Sequence, residues 1–433
     1  MLLTLFSCQR DVFPENGPVD ILVDGRFYGE EYAEKLPMEK VVLKIFARSG
    51  KVVYTDSLKA DGHFQISGLA PDSYRIQATA SFSKEEFNER LGRNEDFDVN
   101  FSSSIQNIEV NETSEKSFAL ELISGRTGSL LIKQIYYAGS HASLGASFRD
   151  QFIEIYNNSS ETQYADSLYI AEIYGTANSS TTYAYQAASG QFDWSRSYGM
   201  PANINANQDY VYASTVLRIP GNGTDYPILP GESIIMASTA ANHKSPYQGT
   251  DGKTISIQDP SLTVDLSQAN FETYYAPYLG ETRPLASDID NPNVPNMIVV
   301  RRSSGTDLIM TQTGAQSWAI FRGQGMGDES DWKGYERPYA DGRVTLLTTY
   351  IQIPNENVLD AVELQSATQT TYPKRFTAQL DAGGIFAEGG ARSSNAVIRK
   401  TKEIVGGRRV LQDSNNSTED FVSRKAEPKV FVD

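Results

Sequence analysis

Few residues of this 433-residue chain could carry out chemistry, and they are widely spaced. There is one cysteine, Cys8, and there are three histidines, His63, His141 and His243. The sequence contains no His-Glu-x-x-His zinc motif, no Gly-x-Ser-x-Gly nucleophile turn and no phosphate-binding loop. A Ser-His-Asp triad has no local signature, and a lone histidine beside a turn, such as His63, is typical of a strand surface. We therefore expect no catalytic residues, and a hydrolase built from scattered carboxylates is the enzymatic alternative.

Cys8 ends the run Leu2-Leu3-Thr4-Leu5-Phe6-Ser7, an apolar stretch that closes with a small residue before the cysteine. This arrangement is typical of a bacterial lipoprotein cleavage site, where the thiol is acylated and becomes the new N-terminus. The positively charged start of a signal peptide is missing and the apolar run is short, so the alternative is a chance cysteine. The sequence predicts lipidation of Cys8, a leader and tether over residues 1–16, and attachment to the outer membrane, facing outward.

Composition and charge limit the partners of the chain. The net charge is −16 and the pI is about 4.8, with no basic run to neutralise phosphates, so we expect no nucleic-acid binding. We also expect no cofactor. Beyond the N-terminus no stretch approaches the roughly 18 apolar residues of a membrane helix, so the lipid would be the sole anchor. Abundant tyrosine, glycine and proline favour strands. Helices are predicted only at Lys84–Leu91, Leu266–Tyr275 and the start of Val358–Gln365.

Residues 174–212 form the most distinctive stretch because aromatic side chains recur there among Ser, Thr, Asn and Gly. Aromatic rings with a polar handle are favoured at interfaces, and loops often carry binding residues. The alternative is that these rings pack the segment onto its own sandwich. The residues predicted to bind a ligand or partner are Tyr183, Tyr185, Phe192, Trp194 and Tyr198.

A second candidate site is the loop Asp288-Ile289-Asp290-Asn291-Pro292-Asn293. Calcium takes oxygen ligands from closely spaced acids and amides, so Asp288, Asp290 and Asn291 are candidate metal ligands. The loop lacks the glycine and the terminal glutamate of an EF-hand. Since Asp, Asn and Pro are also the usual residues of turns, an ordinary turn is the alternative.

Residues 17–124 alternate apolar and polar side chains in seven short runs separated by turns, which predicts an antiparallel β-sandwich. Between Val52 and Ile76 lie Asp61-Gly62, expected to form a tight hairpin, then Phe64, Gly68-Leu69-Ala70-Pro71-Asp72 and Tyr74. This motif resembles the carboxypeptidase-regulatory-like (Cna-B, transthyretin-like) domain, with Asp72 where that family usually has glycine. The resemblance implies a prealbumin-type sandwich that serves as a spacer or adhesion module. The predicted strands are Val19–Val23, Val41–Phe46, Val52–Leu58, His63–Ile66, Tyr74–Ala80, Ile105–Val110 and Lys116–Leu122.

Residues 128–433 follow a hinge predicted at Gly125-Arg126-Thr127-Gly128. Phe152-Ile153-Glu154-Ile155-Tyr156-Asn157-Asn158-Ser159, Leu168-Tyr169-Ile170-Ala171 and Pro230-Gly231-Glu232-Ser233 resemble the lamin-tail domain. The resemblance implies an immunoglobulin-like sandwich, with large insertions because this region is far longer than such a domain. Alternation places Ile153 and Ile155 on one face and the flanking side chains of Phe152, Glu154 and Tyr156 on the other.

The sequence therefore predicts an all-β chain of two sandwich domains in series, at residues 17–124 and 128–433, after the leader and tether. This order is similar to an uncharacterised lipoprotein family of Bacteroides and Porphyromonas. The favoured function is a binding or accessory protein for an outer-membrane partner such as a TonB-dependent receptor complex. The alternative is a lipoprotein that captures a nutrient, either a glycan or an iron carrier, and the carboxylate-based hydrolase is the third hypothesis.

Overall fold

The described part of the chain is built mainly from strands and loops. A computed structural model describes residues 17–48, 51–93, 98–126, 129–176, 179–280, 284–302, 305–367 and 373–433. These residues form an all-β fold of sandwich architecture, as predicted. The predictions for Cys8, for residues 1–16 and for Thr127-Gly128 of the hinge fall outside them, so the exact domain boundary stays a prediction. No helix among the described residues is long and apolar enough to cross a membrane.

The first sandwich comprises the described residues from 17 to 126. Its helices are α1 (Glu30–Ala33) and α2 (Lys84–Leu91), and α2 confirms the helix predicted there. Ser83 caps α2 by accepting a hydrogen bond from Glu86 N, and Gly92 ends the helix in the left-handed conformation. All seven predicted runs are strands: β1 (Val19–Phe27), β2 (Val42–Ala47), β3 (Val52–Ser57), β4 (His63–Leu69), β5 (Asp72–Phe82), β6 (Val99–Val110) and β7 (Ser117–Arg126).

One continuous sheet of order β3-β2-β5-β6-β7-β1-β4 supplies both layers of the first sandwich. The sheet folds over at β7, whose first half pairs in parallel with β1 and whose second half pairs antiparallel with β6. Apolar side chains from both layers, among them Val23, Ile45, Ile76 and Leu122, form a common core. The parallel β1–β7 pair departs from the antiparallel pairing that the sequence predicts.

The Asp61-Gly62 turn is not the hairpin that its sequence predicts. It connects β3 and β4, which lie at opposite ends of the sheet order, so it carries the chain from one layer to the other. Gly62 has φ 78°, and a Cβ atom there would lie 2.4 Å from the carbonyl oxygen of Gly25. Gly25 N also donates to Gly62 O at 2.9 Å. The left-handed conformation and this close approach to β1 therefore require the glycine.

The second sandwich comprises the described residues from 129 to 433. Its helices are α3 (Ala276–Leu279), α4 (Ala378–Asp381) and α5 (Ser417–Asp420). Its strands are β8 (Leu130–Tyr136), β9 (Phe152–Asn157), β10 (Gln163–Tyr164), β11 (Tyr169–Ile173), β12 (Tyr210–Arg218), β13 (Pro227–Ile228), β14 (Ser233–Ala237), β15 (Tyr247–Gln248), β16 (Thr254–Ile255), β17 (Phe271–Glu272), β18 (Ile298–Arg301), β19 (Ser317–Phe321), β20 (Gly334–Glu336), β21 (Thr349–Pro354), β22 (Val358–Val362), β23 (Asn395–Arg399), β24 (Thr401–Val405), β25 (Arg408–Leu411) and β26 (Phe421–Lys425).

Two large sheets enclose the main core of the second sandwich. Their orders are β17-β14-β9-β8-β23-β26 and β20-β21-β12-β11-β19-β22, and β18 also pairs with β12. Ile153 and Ile155 of β9 belong to the core between the sheets, together with Ile170 and Trp318 of the opposite sheet. Phe152 lies in a separate cluster on the outer face, as the predicted alternation requires.

Two of the predicted helices are wrong. The segment 266–275 forms turns and the short strand β17, because Leu266 and Phe271 enter different hydrophobic clusters. The segment 358–365 begins with β22, which pairs antiparallel with β19. In both places burial and strand pairing override the local preference for a helix.

Polar side chains of β6 and β2 contact the second sandwich. Asn100 Nδ2 donates to the carbonyl oxygen of Asp413 at 2.7 Å, and Ser102 Oγ donates to the first carbonyl of α4. Lys44 of β2 forms an ion pair with Glu419 of α5 at 2.7 Å. The two sandwiches therefore contact each other through polar side chains that alternation alone would assign to solvent.

Candidate functional site

The described residues of the aromatic segment, 174–176 and 179–212, end in the first residues of β12 and pack against β12 and β21. The indole of Trp194 stacks on the ring of Tyr212 with a centroid distance of 3.8 Å, and Phe192 stacks on Tyr185 at 5.0 Å. Phe192 is 1% exposed and Trp194 is 5% exposed. These two rings offer no surface to an external ligand, so packing onto the sandwich accounts for them.

The other predicted residues of the segment are more accessible. Tyr183 and Tyr185 are half-buried. Arg337 Nη1 donates to the hydroxyl of Tyr183 at 2.9 Å, and the guanidinium lies over the rings of Tyr183 and Tyr339. Tyr198 is 62% exposed. The five predicted residues thus divide into two core residues, two half-buried residues and one surface residue.

Residues 343–348, between β20 and β21, form an exposed segment that we call the apolar loop. Leu346 is 60% exposed and Leu347 is 83% exposed. The carboxylate of Glu336 accepts hydrogen bonds from Thr345 N and Leu346 N, both at 2.9 Å. Leu346 has φ 51°, a left-handed conformation that is unfavourable for leucine. The chain therefore holds apolar side chains in water, and no periodic pattern in the sequence reveals this.

The apolar loop and the aromatic segment belong to one surface, which we call the aromatic face (residues 174–212 and 337–348). Ala184 N donates to Pro338 O at 2.8 Å, and Ala340 N donates to Thr182 O at 3.0 Å. Arg196 adds a hydrogen bond from Nη2 to Ala340 O at 2.9 Å. These bonds keep the two segments side by side.

A cleft of about 360 Å³, which we call the sandwich cleft, lies where the aromatic segment meets both sandwiches. Strands β6 and β7 line one part of it, the aromatic segment lines another, and the chain leading into α4 lines the third. Hydroxyl and carboxamide groups dominate the polar part of the lining. The lining residues are Ser103, Ser104, Ile105, Ala119, Glu121, Ala188, Ser189, Gln191, Gln208, Lys374, Phe376, Thr377 and Ala378.

The predicted metal ligands stabilise turns. Asp288 accepts hydrogen bonds from two successive backbone N–H groups at the start of α3, both at 2.9 Å. Asp290 Oδ1 accepts from the side chain of Asn296 at 2.8 Å, and Asn291 Nδ2 donates to a backbone carbonyl at 2.8 Å. Within the described residues, no three or more His, Cys, Asp or Glu side chains are grouped to hold a metal ion. The turn alternative accounts for this loop.

Several carboxylates with raised pKa values are buried in the second sandwich. Burial raises the pKa of Asp360 to about 7 even though Arg399 donates to it at 2.6 Å. Burial likewise raises the pKa of Asp150, Asp307 and Asp420 to about 7. None of these acids lies among the described lining residues of the sandwich cleft or of a second cleft, about 410 Å³, between the sandwiches. The four buried acids and the two clefts are therefore separate parts of the described structure.

The three histidines have separate partners. His63 lies on β4 and bonds to Asp24, whose other oxygen accepts from Ser117 Oγ at 3.4 Å. The aspartate therefore lies between the serine and the histidine. In a catalytic triad the histidine lies between the other two residues, so this group is not a triad. His141 Nδ1 accepts a backbone N–H of its own turn at 3.2 Å. Burial lowers the pKa of His243 to about 4, so this residue is a neutral core histidine.

These features define an all-β protein of two sandwiches in polar contact, with an aromatic insertion on the second. Residues 229–428 match the family DUF4876, described as a protein of unknown function. A crystal structure of a DUF4876 family protein from Bacteroides thetaiotaomicron VPI-5482 has a TM-score of 0.52 and 23% sequence identity, covering 94% of this chain and 95% of that chain. This likeness shows a shared fold, and the predicted uncharacterised Bacteroides family fits it.

Two more distant structures come from proteins named for adhesion. A candidate adhesin from Bacteroides ovatus has a TM-score of 0.16 at 13% identity, covering 36% of this chain and 56% of that chain. A candidate cell adhesion protein from Bacteroides eggerthii DSM 20697 has a TM-score of 0.17 at 12% identity, covering 53% and 82%. Scores this low carry no argument about fold or function. No curated protein sequence matches the chain, and the comparisons indicate no catalytic family.

Proposed function

We propose that this protein is a surface lipoprotein that binds an outer-membrane protein through its aromatic face. The apolar loop is the observation that carries the proposal. Leu347 is 83% exposed, and covering a leucine side chain is favourable by about 1.5–3 kcal/mol. A partner with an apolar recess gains this free energy when it covers the loop.

The apolar loop is also preorganised for such contact. Glu336 fixes the loop backbone, so little conformational entropy is lost when a partner binds. Leu346 has a strained left-handed backbone conformation that the surrounding structure holds in place. Such strain is typical of functional sites. Arg343 lies 4.3 Å from the ring of Tyr339, and aromatic and arginine side chains are enriched at interfaces.

The N-terminal sequence supports the proposed location. Lipidation at Cys8 would attach the chain to the outer membrane, and an outward orientation would present the aromatic face to membrane proteins such as a TonB-dependent receptor complex. The resemblances to carboxypeptidase-regulatory-like and lamin-tail domains belong to the same proposal, with the first sandwich as a spacer. A Cys8→Ala variant should lose incorporation of a labelled fatty acid and leave the membrane fraction; retention of the label would contradict the anchor.

The partner is tested by crosslinked co-purification from native membranes. The Leu347→Asp variant places a charge at the tip of the apolar loop without touching the core. We expect wild type to recover a discrete outer-membrane protein and Leu347→Asp to recover at least about tenfold less, the change that 1.4 kcal/mol produces. Val405→Asp is the matched control because Val405 is 51% exposed at the turn between β24 and β25. Equal recovery with Leu347→Asp, or none with wild type, rejects the proposal.

The nutrient-capture alternative has a different structural basis. An exposed, flat aromatic platform would favour sugar stacking, but Phe192 and Trp194 are buried. The specific observation in favour of capture is instead the sandwich cleft, whose polar lining comes from both sandwiches and from the aromatic segment.

A further inference from the structure

We infer that the sandwich cleft is a binding site for a neutral sugar of one or two rings. This inference names a ligand class and a site for the capture alternative, and it does not depend on the partner proposed for the aromatic face. Its basis is the hydrogen-bonding state, the charge and the size of the cleft.

Two buried side-chain oxygens on the cleft lining have no hydrogen-bond partner. Gln191 is 3% exposed and its Oε1 accepts no bond; Thr377 is 6% exposed and its Oγ1 makes none. Leaving a buried polar group unsatisfied costs about 1–3 kcal/mol. Sugar hydroxyls both donate and accept, so they can satisfy the carbonyl oxygen of Gln191 and the hydroxyl of Thr377 together.

The hydroxyl of Thr377 is not used to stabilise its own helix. Thr377 is the N-cap of α4, where a threonine side chain normally accepts a bond from the first turn of the helix. Here the side chain makes no cap bond. The buried hydroxyl therefore keeps its hydrogen-bonding capacity unused within the chain, beside the cleft that Thr377 lines.

The charged groups of the described lining already have partners. Lys374 Nζ donates to Asp381 O at 2.9 Å and lies 3.4 Å from the carboxylate of Glu363. Glu121 forms an ion pair with Arg26. The other polar side chains of the lining are serine, threonine and glutamine. Because an ion would be desolvated there without a counter-charge, the lining favours a neutral ligand rich in hydroxyl groups.

The size and the apolar part of the cleft fit the same ligand. A volume of about 360 Å³ lies within the range of roughly 300–1,000 Å³ found for small-molecule sites. Ile105, which is half-buried, and Ala188, which is exposed, supply apolar surface for the C–H faces of a sugar ring. Since Ser103 belongs to the first sandwich and Gln191 to the second, a bound sugar would bridge them.

The inference is tested by calorimetric titration of the folded chain with glucose, galactose, mannose, maltose, lactose and cellobiose. Ala188→Trp fills the cleft from an exposed lining position, and Gln191→Ala removes the unpartnered carbonyl oxygen. Ala187→Trp is the matched control because Ala187 is exposed and adjacent but does not line the cleft. We expect at least one sugar to bind wild type and Ala187→Trp equally, and to bind the two cleft variants at least about tenfold more weakly.

Two results overturn the inference: no sugar of the panel binds at millimolar concentration, or Ala188→Trp binds as tightly as wild type. A melting curve recorded for each variant shows that loss of binding is not loss of folding. The sugar site is tested separately from the apolar loop. Leu347→Asp should bind the sugar normally, because Leu347 does not line the cleft, so failure of the partner proposal leaves the sugar site intact.

Discussion

At the residue scale, Arg399 links the two sheets of the second sandwich. It lies on β23, bonds to Asp360 of the opposite sheet at 2.6 Å, and donates from Nε to Ile132 O at 3.0 Å. Replacement by alanine leaves buried carboxylates without a counter-charge, so Arg399→Ala should lower the free energy of unfolding by about 3–5 kcal/mol in urea titrations. Arg409→Ala, at a surface ion pair with Asp433, should leave the free energy of unfolding almost unchanged. Equal effects of the two variants would contradict the linking role.

Asp307 should make stability depend on pH. Burial raises its pKa to about 7, Ser287 Oγ donates to Oδ2, and Oδ1 has no partner. A carboxyl whose pKa is raised on folding stabilises the native state fully below its unfolded pKa, and this contribution is lost as pH rises through about 7. From this group alone the free energy of unfolding should fall by about 4 kcal/mol at most between pH 4 and pH 8.

Asp307→Asn removes the titration while keeping the shape of the side chain. Urea unfolding at pH 5 and pH 8 should show a smaller loss of stability across that interval in Asp307→Asn than in wild type. Asp341→Asn, at an exposed turn position, should retain the wild-type slope. If Asp307→Asn keeps the full slope as well, Asp307 is ionised throughout and the pH argument fails.

At the scale of elements, strands were predictable where alternation was strict. All seven predicted runs of the first sandwich are strands, and α2 matches its prediction because a cap and an amphipathic turn coincide there. Helix patterns failed at 266–275 and 358–365, where side chains are buried on several sides by different elements. Hydrophobic periodicity predicts an element with one buried face. It does not predict a segment whose side chains pack into different hydrophobic clusters.

The same limit applies to the aromatic segment. Its composition is that of an interface, but whether Trp194 faces Tyr212 or solvent is decided by β12, which follows it in the chain. Trp194→Ala should therefore lower the free energy of unfolding by about 3–5 kcal/mol, and Tyr198→Ala should change it by less than about 0.5 kcal/mol. Urea unfolding followed by fluorescence and circular dichroism distinguishes them. A destabilised Tyr198→Ala or an unaffected Trp194→Ala would contradict the packing described here.

At the scale of the whole molecule, the contact between the sandwiches is the feature that alternation conceals. Polar positions on β5 such as Arg75 and Gln77 have the spacing of solvent-facing residues. In the structure Gln77 is 1% exposed, and the guanidinium of Arg75 lies 4.0 Å from the ring of Phe46. A pattern with period two shows that two faces differ, but it does not show whether water or another domain covers the polar one.

Arg75 should couple the unfolding of the two sandwiches. Burial lowers its pKa to about 10, and Asp381 and Glu419 of the second sandwich oppose that shift, so its charge is stabilised across the contact. Arg75→Ala removes this attraction and the packing on Phe46. We expect one calorimetric transition for wild type and for Arg90→Ala, a surface control on α2, and two separate transitions for Arg75→Ala. A single transition in Arg75→Ala would show that the other polar bonds between the sandwiches are enough to couple their unfolding.

Because the sandwich cleft is lined by both sandwiches, uncoupling the sandwiches in Arg75→Ala should also weaken sugar binding. The aromatic face lies within the second sandwich, so Arg75→Ala should still bind the outer-membrane partner.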